Sequence, residues 1–208
     1  RTWTETTATR GTASSPLSPG SHTFYVQERD DAGNWSASGS FTIEIDTTPP
    51  APPALNPVTS PTNVTPQLLS GTKEADTSVW LNDTEVIAIN GDTTWSYAMP
   101  LAEGSNAISL TCKDAVGNES AATTANIVLD TGAPVAPSLN TVTSPTAVTP
   151  QTISGNKEAG TSVWLNGSEI VAINGDTTWS YAMPLAEGDN PISLTCKDAV
   201  GNESTATN

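Results

Sequence analysis

Carboxylates and side-chain amides are the groups of this chain with the types and spacing to do chemistry. The best-defined pattern is Asp-x-x-Gly-Asn. It stands at Asp114-Ala115-Val116-Gly117-Asn118 and Asp198-Ala199-Val200-Gly201-Asn202, and as Asp30 or Asp31 before Gly33-Asn34. An Asp that opens a turn, followed by Gly and Asn that accept positive φ, prescribes a hairpin turn. The same oxygens are hard ligands, and Ca²⁺ takes six to eight of them at about 2.3–2.6 Å. Asp46, Glu74, Asp114 and Asn118 form one candidate metal set, and Asp130, Glu158, Asp198 and Asn202 form its copy. Asp76 is a weaker candidate, because Gly160 takes its place in the copy.

Other chemistry fails on inventory. The single histidine, His22, aligns with Asn106 and Asn190, so no Ser-His-Asp arrangement or His/Cys zinc cluster can recur. No phosphate-cradling Gly-rich loop is present. Cys112 and Cys196 occupy equivalent positions, which excludes a disulfide within one unit, and each alternates with apolar residues as a small buried hydrophobe does. Trp80, Trp95 and their copies read as core residues on strands, while Trp35 beside a turn reads as an exposed aromatic. The chain reads as non-catalytic, and no cofactor other than Ca²⁺ is expected.

A net charge of −15, from 22 acids against seven bases, disfavours nucleic acid and anionic membranes, both of which need a positive patch. No apolar run approaches the length of a transmembrane helix. Sixteen Pro and fifteen Gly among abundant Thr, Ser, Asn and Val specify short strands joined by tight turns.

The elements that must carry these residues follow a period of 84. Val58-Thr59-Ser60-Pro61-Thr62 recurs at Val142-Thr143-Ser144-Pro145-Thr146, Trp80 at Trp164, Trp95 at Trp179 and Asp114 at Asp198. The frame extends backward more weakly, with Gly20, Asp30, Gly33, Asn34, Ile43 and Asp46 preceding Gly104, Asp114, Gly117, Asn118, Ile127 and Asp130. The expected domains are 1–46, the second half of a diverged repeat; 47–130, a complete repeat; and 131–208, its near copy without the last strand. Within 47–130, strands are expected at Val64–Gly71, Ser78–Asn82, Val86–Ile89, Trp95–Leu101, Ala107–Lys113 and Thr123–Leu129, after an edge segment at Pro53–Val58. Trp95, Tyr97 and Met99 share one face, as do Ile108, Leu110 and Cys112, with polar residues between them. This predicts an all-β protein of antiparallel sandwiches in series, joined by the Pro-bearing linkers Asp46–Pro50 and Asp130–Pro134. If strands alternate in direction, the candidate ligands gather with the entering linker at one pole of each sandwich.

The segments "KDAVGNES" before "NIVLDTGAP", "RDDAGNWS" before "TIEIDTTPP" and "SGTKEADTSVWLN" resemble the bacterial immunoglobulin-like and fibronectin-like tandem repeats of large extracellular adhesins and secreted multidomain proteins. The resemblance implies an immunoglobulin-like fold, extracellular or cell-surface location, and calcium-rigidified linkers. The function expected is a stalk that extends a larger surface protein, with neighbouring repeats as its partners. The alternatives are a carbohydrate- or protein-binding module, and a fibre subunit assembled by strand pairing with other copies across an edge left open by the missing strand.

Overall fold

A computed structural model describes residues 17–208, so the first sixteen residues of the expected 1–46 fragment lie outside the described residues. The fragment's described part is a hairpin of β1 (Gly20–Val26) and β2 (Gly39–Ile45), paired from Gly20↔Ile45 to Val26↔Gly39.

The first sandwich contains β3 (Gln67–Thr72), β4 (Thr77–Leu81), β5 (Thr84–Asn90), β6 (Thr94–Met99), β7 (Gly104–Lys113) and β8 (Thr123–Leu129). One sheet has the order β5-β4-β7-β8 and the other pairs β3 with β6. All these pairings are antiparallel. The edge segment joins the smaller sheet through bonds from the Ala54 amide to the Thr72 carbonyl and from the Asn56 amide to the Ser70 carbonyl, each 2.8 Å. It then crosses to the larger sheet, where Thr62 pairs in parallel with Leu129. Two sheets with a leading segment that switches between them define an immunoglobulin- or fibronectin-III-like sandwich.

Alternation builds the core. Leu69, Val79, Leu81, Trp95, Met99, Ile108, Leu110, Cys112 and Ile127 form one buried cluster, with polar neighbours turned outward. Gly71 sits where the edge segment crosses β3, since a Cβ there would collide with the Ala54 carbonyl. That same carbonyl accepts the indole N–H of Trp95 at 3.1 Å.

The second sandwich repeats the plan with β9 (Gln151–Asn156), β10 (Thr161–Leu165), β11 (Ser168–Asn174), β12 (Thr178–Met183) and β13 (Leu194–Lys197). Its core is Ile153, Val163, Leu165, Trp179, Met183, Leu194 and Cys196. Strand β13 has four residues where β7 has ten. Both cysteines are buried free thiols whose desolvation pushes their ionisation upward. Among the described residues, no helix is long and apolar enough to cross a membrane.

Two expectations are corrected. The strand expected from Val64 starts at Gln67, because Pro66 brings no amide to a ladder. Trp80 does not join the core: Val79 and Leu81 face inward, so parity turns Trp80 outward, where the Lys113 ammonium lies 4.0 Å from its ring centroid. The copy is the same, with Lys197 at 4.2 Å from Trp164.

Candidate functional site

The residues expected to bind metal gather at the poles where linkers enter, and each makes hydrogen bonds there. Asp114 follows β7, and its Oδ1 accepts the amides of Val116, Gly117 and Asn118 at 3.0, 2.8 and 2.9 Å. Its Oδ2 accepts Asn118 Nδ2 at 2.8 Å. Gly117 has a φ of 94°, which a side chain would strain. Desolvation pushes the Asp114 carboxyl upward, but the bonds from Asn118, Val116 and Gly117 outweigh it and hold the group below the usual aspartate value. Asp30, bonded chiefly by the Asn34 side chain, is lowered likewise. The Asp-x-x-Gly-Asn pattern is therefore a self-satisfied turn in the hairpin between the last two strands, as expected from its residue types.

The turn also presents one free face of its asparagine to the linker. Asn118 Nδ2 donates to the Asp46 carbonyl at 3.2 Å, and Asn202 Nδ2 donates to the Asp130 carbonyl at 2.9 Å. Glu74 Oε2 accepts the Ala51 amide at 2.9 Å, and Glu158 Oε2 accepts the Val135 amide at 2.9 Å. Asp46 and Asp130 each turn Oδ1 onto an amide two residues ahead, that of Thr48 at 2.9 Å and of Gly132 at 3.0 Å. Six of the eight expected ligands thus meet the linker backbone directly, and Asp114 and Asp198 hold the turns that present Asn118 and Asn202 to it. At the second junction, Asn63 Nδ2 of the first sandwich also donates to Asn202 Oδ1 at 3.2 Å.

No group of three His, Cys, Asp or Glu side chains among the described residues could hold a metal ion. Each carboxylate of the two sets accepts a backbone amide, from the linker for Asp46, Glu74, Asp130 and Glu158 and from its own turn for Asp114 and Asp198.

Beneath the lock lies a feature with no sequence signal. Lys73, only 6% exposed, donates its ammonium to the carbonyls of Thr77 at 3.0 Å, Asn90 at 3.1 Å and Glu74 at 3.4 Å. Lys157 repeats this against Thr161, Asn174 and Glu158 at 3.0, 3.3 and 3.4 Å. A lone lysine in a turn ordinarily reads as solvated; here it gathers two carbonyls of its own turn and one from the end of the following hairpin strand, and ties the two segments together. The outward Trp80 belongs to a second small assembly, in which Lys113 also meets Glu119 at 3.5 Å and Thr111 Oγ1 bonds Glu119 Oε1 at 2.8 Å. In the hairpin the aromatic moves to the Glu119 position: Trp35, 61% exposed, lies 5.4 Å from the Arg29 guanidinium.

The sandwiches and their junction geometry define the class: tandem immunoglobulin- or fibronectin-III-like modules. No family model and no curated protein matches the chain. Solved structures similar to it include the central fibronectin-III array of RIM-binding protein, at 14% identity over 91% of this chain and 74% of that one, with a TM-score of 0.31. The fibronectin(III)-like modules of Clostridium thermocellum CbhA match at 15% identity over 74% of this chain and 90% of theirs, TM-score 0.45. The BSP domain of a biofilm associated protein matches at 21% identity over 75% of this chain and 28% of its own length, TM-score 0.28.

Proposed function

We propose that this chain is a non-catalytic extender segment of an extracellular bacterial surface or adhesin-like protein, stiffened at its junctions by hydrogen bonds from turn to linker. The observation that carries this reading is the repetition of the lock: asparagine to aspartate carbonyl and glutamate to linker amide occur at both junctions. A binding role would concentrate variation and aromatics at the loop tips. Instead the loop changes between repeats, Asp76 to Gly160, Asp83 to Gly167 and Ser105 to Asp189, add no aromatic group. The Pro-bearing linkers restrict what freedom the lock leaves.

Small-angle scattering of the wild-type chain and of an Asn202→Ala plus Glu158→Ala variant tests the reading. The variant is expected to broaden the distance distribution while each sandwich keeps its circular dichroism. An unchanged distribution would show that the lock does not set the junction. The same measurement with calcium and with chelator is expected to give superimposable curves; a calcium-dependent stiffening would place a metal ion at the linker.

A further inference from the structure

Three Asn-Gly pairs occur in the chain, and the fold treats them differently. Asn90-Gly91 ends β5 and Asn174-Gly175 ends β11, while Asn166-Gly167 joins β10 to β11. In any such pair the glycine nitrogen can close a five-membered ring on the asparagine Cγ, and a residue without Cβ leaves that approach open. What decides the rate is how the surroundings hold and polarise the two reacting groups.

At Asn90 the surroundings favour the reaction. The Asn90 carbonyl accepts the Lys73 ammonium at 3.1 Å and the Asp76 amide at 2.8 Å. Both donors draw charge from the Asn90–Gly91 peptide, so the anion left when the Gly91 nitrogen loses its proton is stabilised through the carbonyl oxygen. The Gly91 amide itself meets no acceptor among the described residues. Asn90 Oδ1, where charge gathers when Cγ is attacked, accepts the Asp92 amide at 2.9 Å. With Nδ2 donating to the Ala88 carbonyl at 3.1 Å, the side chain is held along its own backbone. Asn90 is half-buried and Gly91 exposed, so water reaches the ring.

The second sandwich repeats these contacts. The Asn174 carbonyl accepts the Lys157 ammonium at 3.3 Å and the Gly160 amide at 2.8 Å, and Asn174 Oδ1 accepts the Asp176 amide at 2.9 Å. Asn166 is built otherwise. Its Oδ1 accepts the Ser193 amide at 2.9 Å and its Nδ2 donates to the Pro191 carbonyl at 3.0 Å, which ties the side chain to a distant segment. Among the described residues no ammonium meets its carbonyl.

We propose that Asn90 and Asn174 are sites of self-modification, at which the caged lysine of each sandwich promotes conversion of asparagine to isoaspartate. The Gly91 nitrogen bonds to Asn90 Cγ, the Cγ–Nδ2 bond breaks, and the proton lost by Gly91 leaves with Nδ2 as ammonia. Water then opens the ring at the α-carbonyl: its hydroxyl stays on that carbon and its proton returns to the Gly91 nitrogen. The main chain of the product runs through Cβ and Cγ, and the former carbonyl becomes a free carboxylate. That carboxylate stands where the Lys73 ammonium already points, so an ion pair replaces an ammonium–carbonyl bond. Each event adds one negative charge to the pole that holds the linker. This goes beyond the extender role and does not depend on it.

Warming the full chain at neutral pH and following each site by peptide mass spectrometry, with isoaspartate separated from aspartate by chromatography, tests the proposal. In the folded chain Asn90 and Asn174 are expected to convert about tenfold faster than Asn166, the worth of one charged hydrogen bond, with isoaspartate as the main product. In urea the three sites are expected to converge, since only the shared Asn-Gly chemistry remains. Lys73→Met, shown to be folded by circular dichroism, is expected to slow Asn90 by a similar factor and to leave Asn174 unchanged. If that variant unfolds, the comparison of Asn90 and Asn174 with Asn166 in wild type decides alone. A folded wild type in which Asn90 and Asn174 convert no faster than Asn166 overturns the proposal, as does a folded Lys73→Met chain whose Asn90 keeps the wild-type rate.

Discussion

The two sandwiches are close to the same sequence in two structural contexts. Beside β8, Gly104–Lys113 is a ten-residue strand; its copy, beside which the described residues place only the Thr207 bridge, is paired over Leu194–Lys197. The residues differ at Ser105/Asp189 and Ala107/Pro191 alone, and the proline's missing amide lies with its carbonyl on the Asn166 side of the strand, away from Thr207. The shortening is therefore set chiefly by the neighbour and not by local propensity, as expected for strands, whose preference is measured against what they pack on. The same holds for the crossing segment, buried at Thr62 and exposed at Thr146.

The largest effect should come from removing that difference. Appending residues 125–130 after Asn208 supplies an isoleucine and a leucine beside β13, where Thr207 already pairs with Leu194, and burying two such side chains contributes roughly 3–6 kcal/mol, an upper estimate because unfolded chains already bury part of their surface. In hydrogen exchange at low concentration, wild-type peptides from the second sandwich should open before those of the first, and the extension should bring the two together. Equal opening in the wild type would mean that the last strand adds little to either unit.

The next effect sharpens the comparison at the opposite end of the strands. Lys73→Met and Lys157→Met keep an apolar stem but remove a charged donor from the Thr77 and Thr161 carbonyls, while the other two carbonyls of each cage keep a second donor, at a cost of about 1–3 kcal/mol each. Because the lysine cages match within 0.2 Å in every bond, urea unfolding should show equal losses in the two sandwiches. A larger loss at Lys157 would mean that the shorter pairing of β13 loosens the whole unit, including the pole that carries the lock.

Much of this was legible in the residues. The 84-residue period, the apolar parity of Trp95–Met99 and Ile108–Cys112, and the pole at which the acids meet the linker all follow from spacing and alternation. Trp80 was misread because its bulk was weighed above its parity: Ser78-Val79-Trp80-Leu81 can bury Val79 and Leu81 or Trp80, not all three. The caged lysine left no trace, since its partners are backbone carbonyls, which every residue possesses. The hydrogen-bond partners of the acids were not legible for the same reason: Glu74 and Glu158 accept from linker amides, and nothing in the residue types of Ala51 or Val135 marks them as donors.

The smallest effect separates charge from geometry in the turn. Asp114 titrates below the usual aspartate value because amides of its own turn favour the charged form. A carboxylate depressed on folding contributes stability that is fully present above its unfolded value, near 3.9, and is lost as pH falls through the folded value. Asp114→Asn retains an acceptor for the amides but never carries the charge. The first sandwich of this variant should therefore be slightly less stable than wild type at neutral pH and should converge with it in acid, as followed by urea unfolding across that range. The group is solvent-facing, so screening keeps the difference small. A constant difference at all pH values would show that the turn is held by shape alone, and that the lock it presents to the linker survives acid intact.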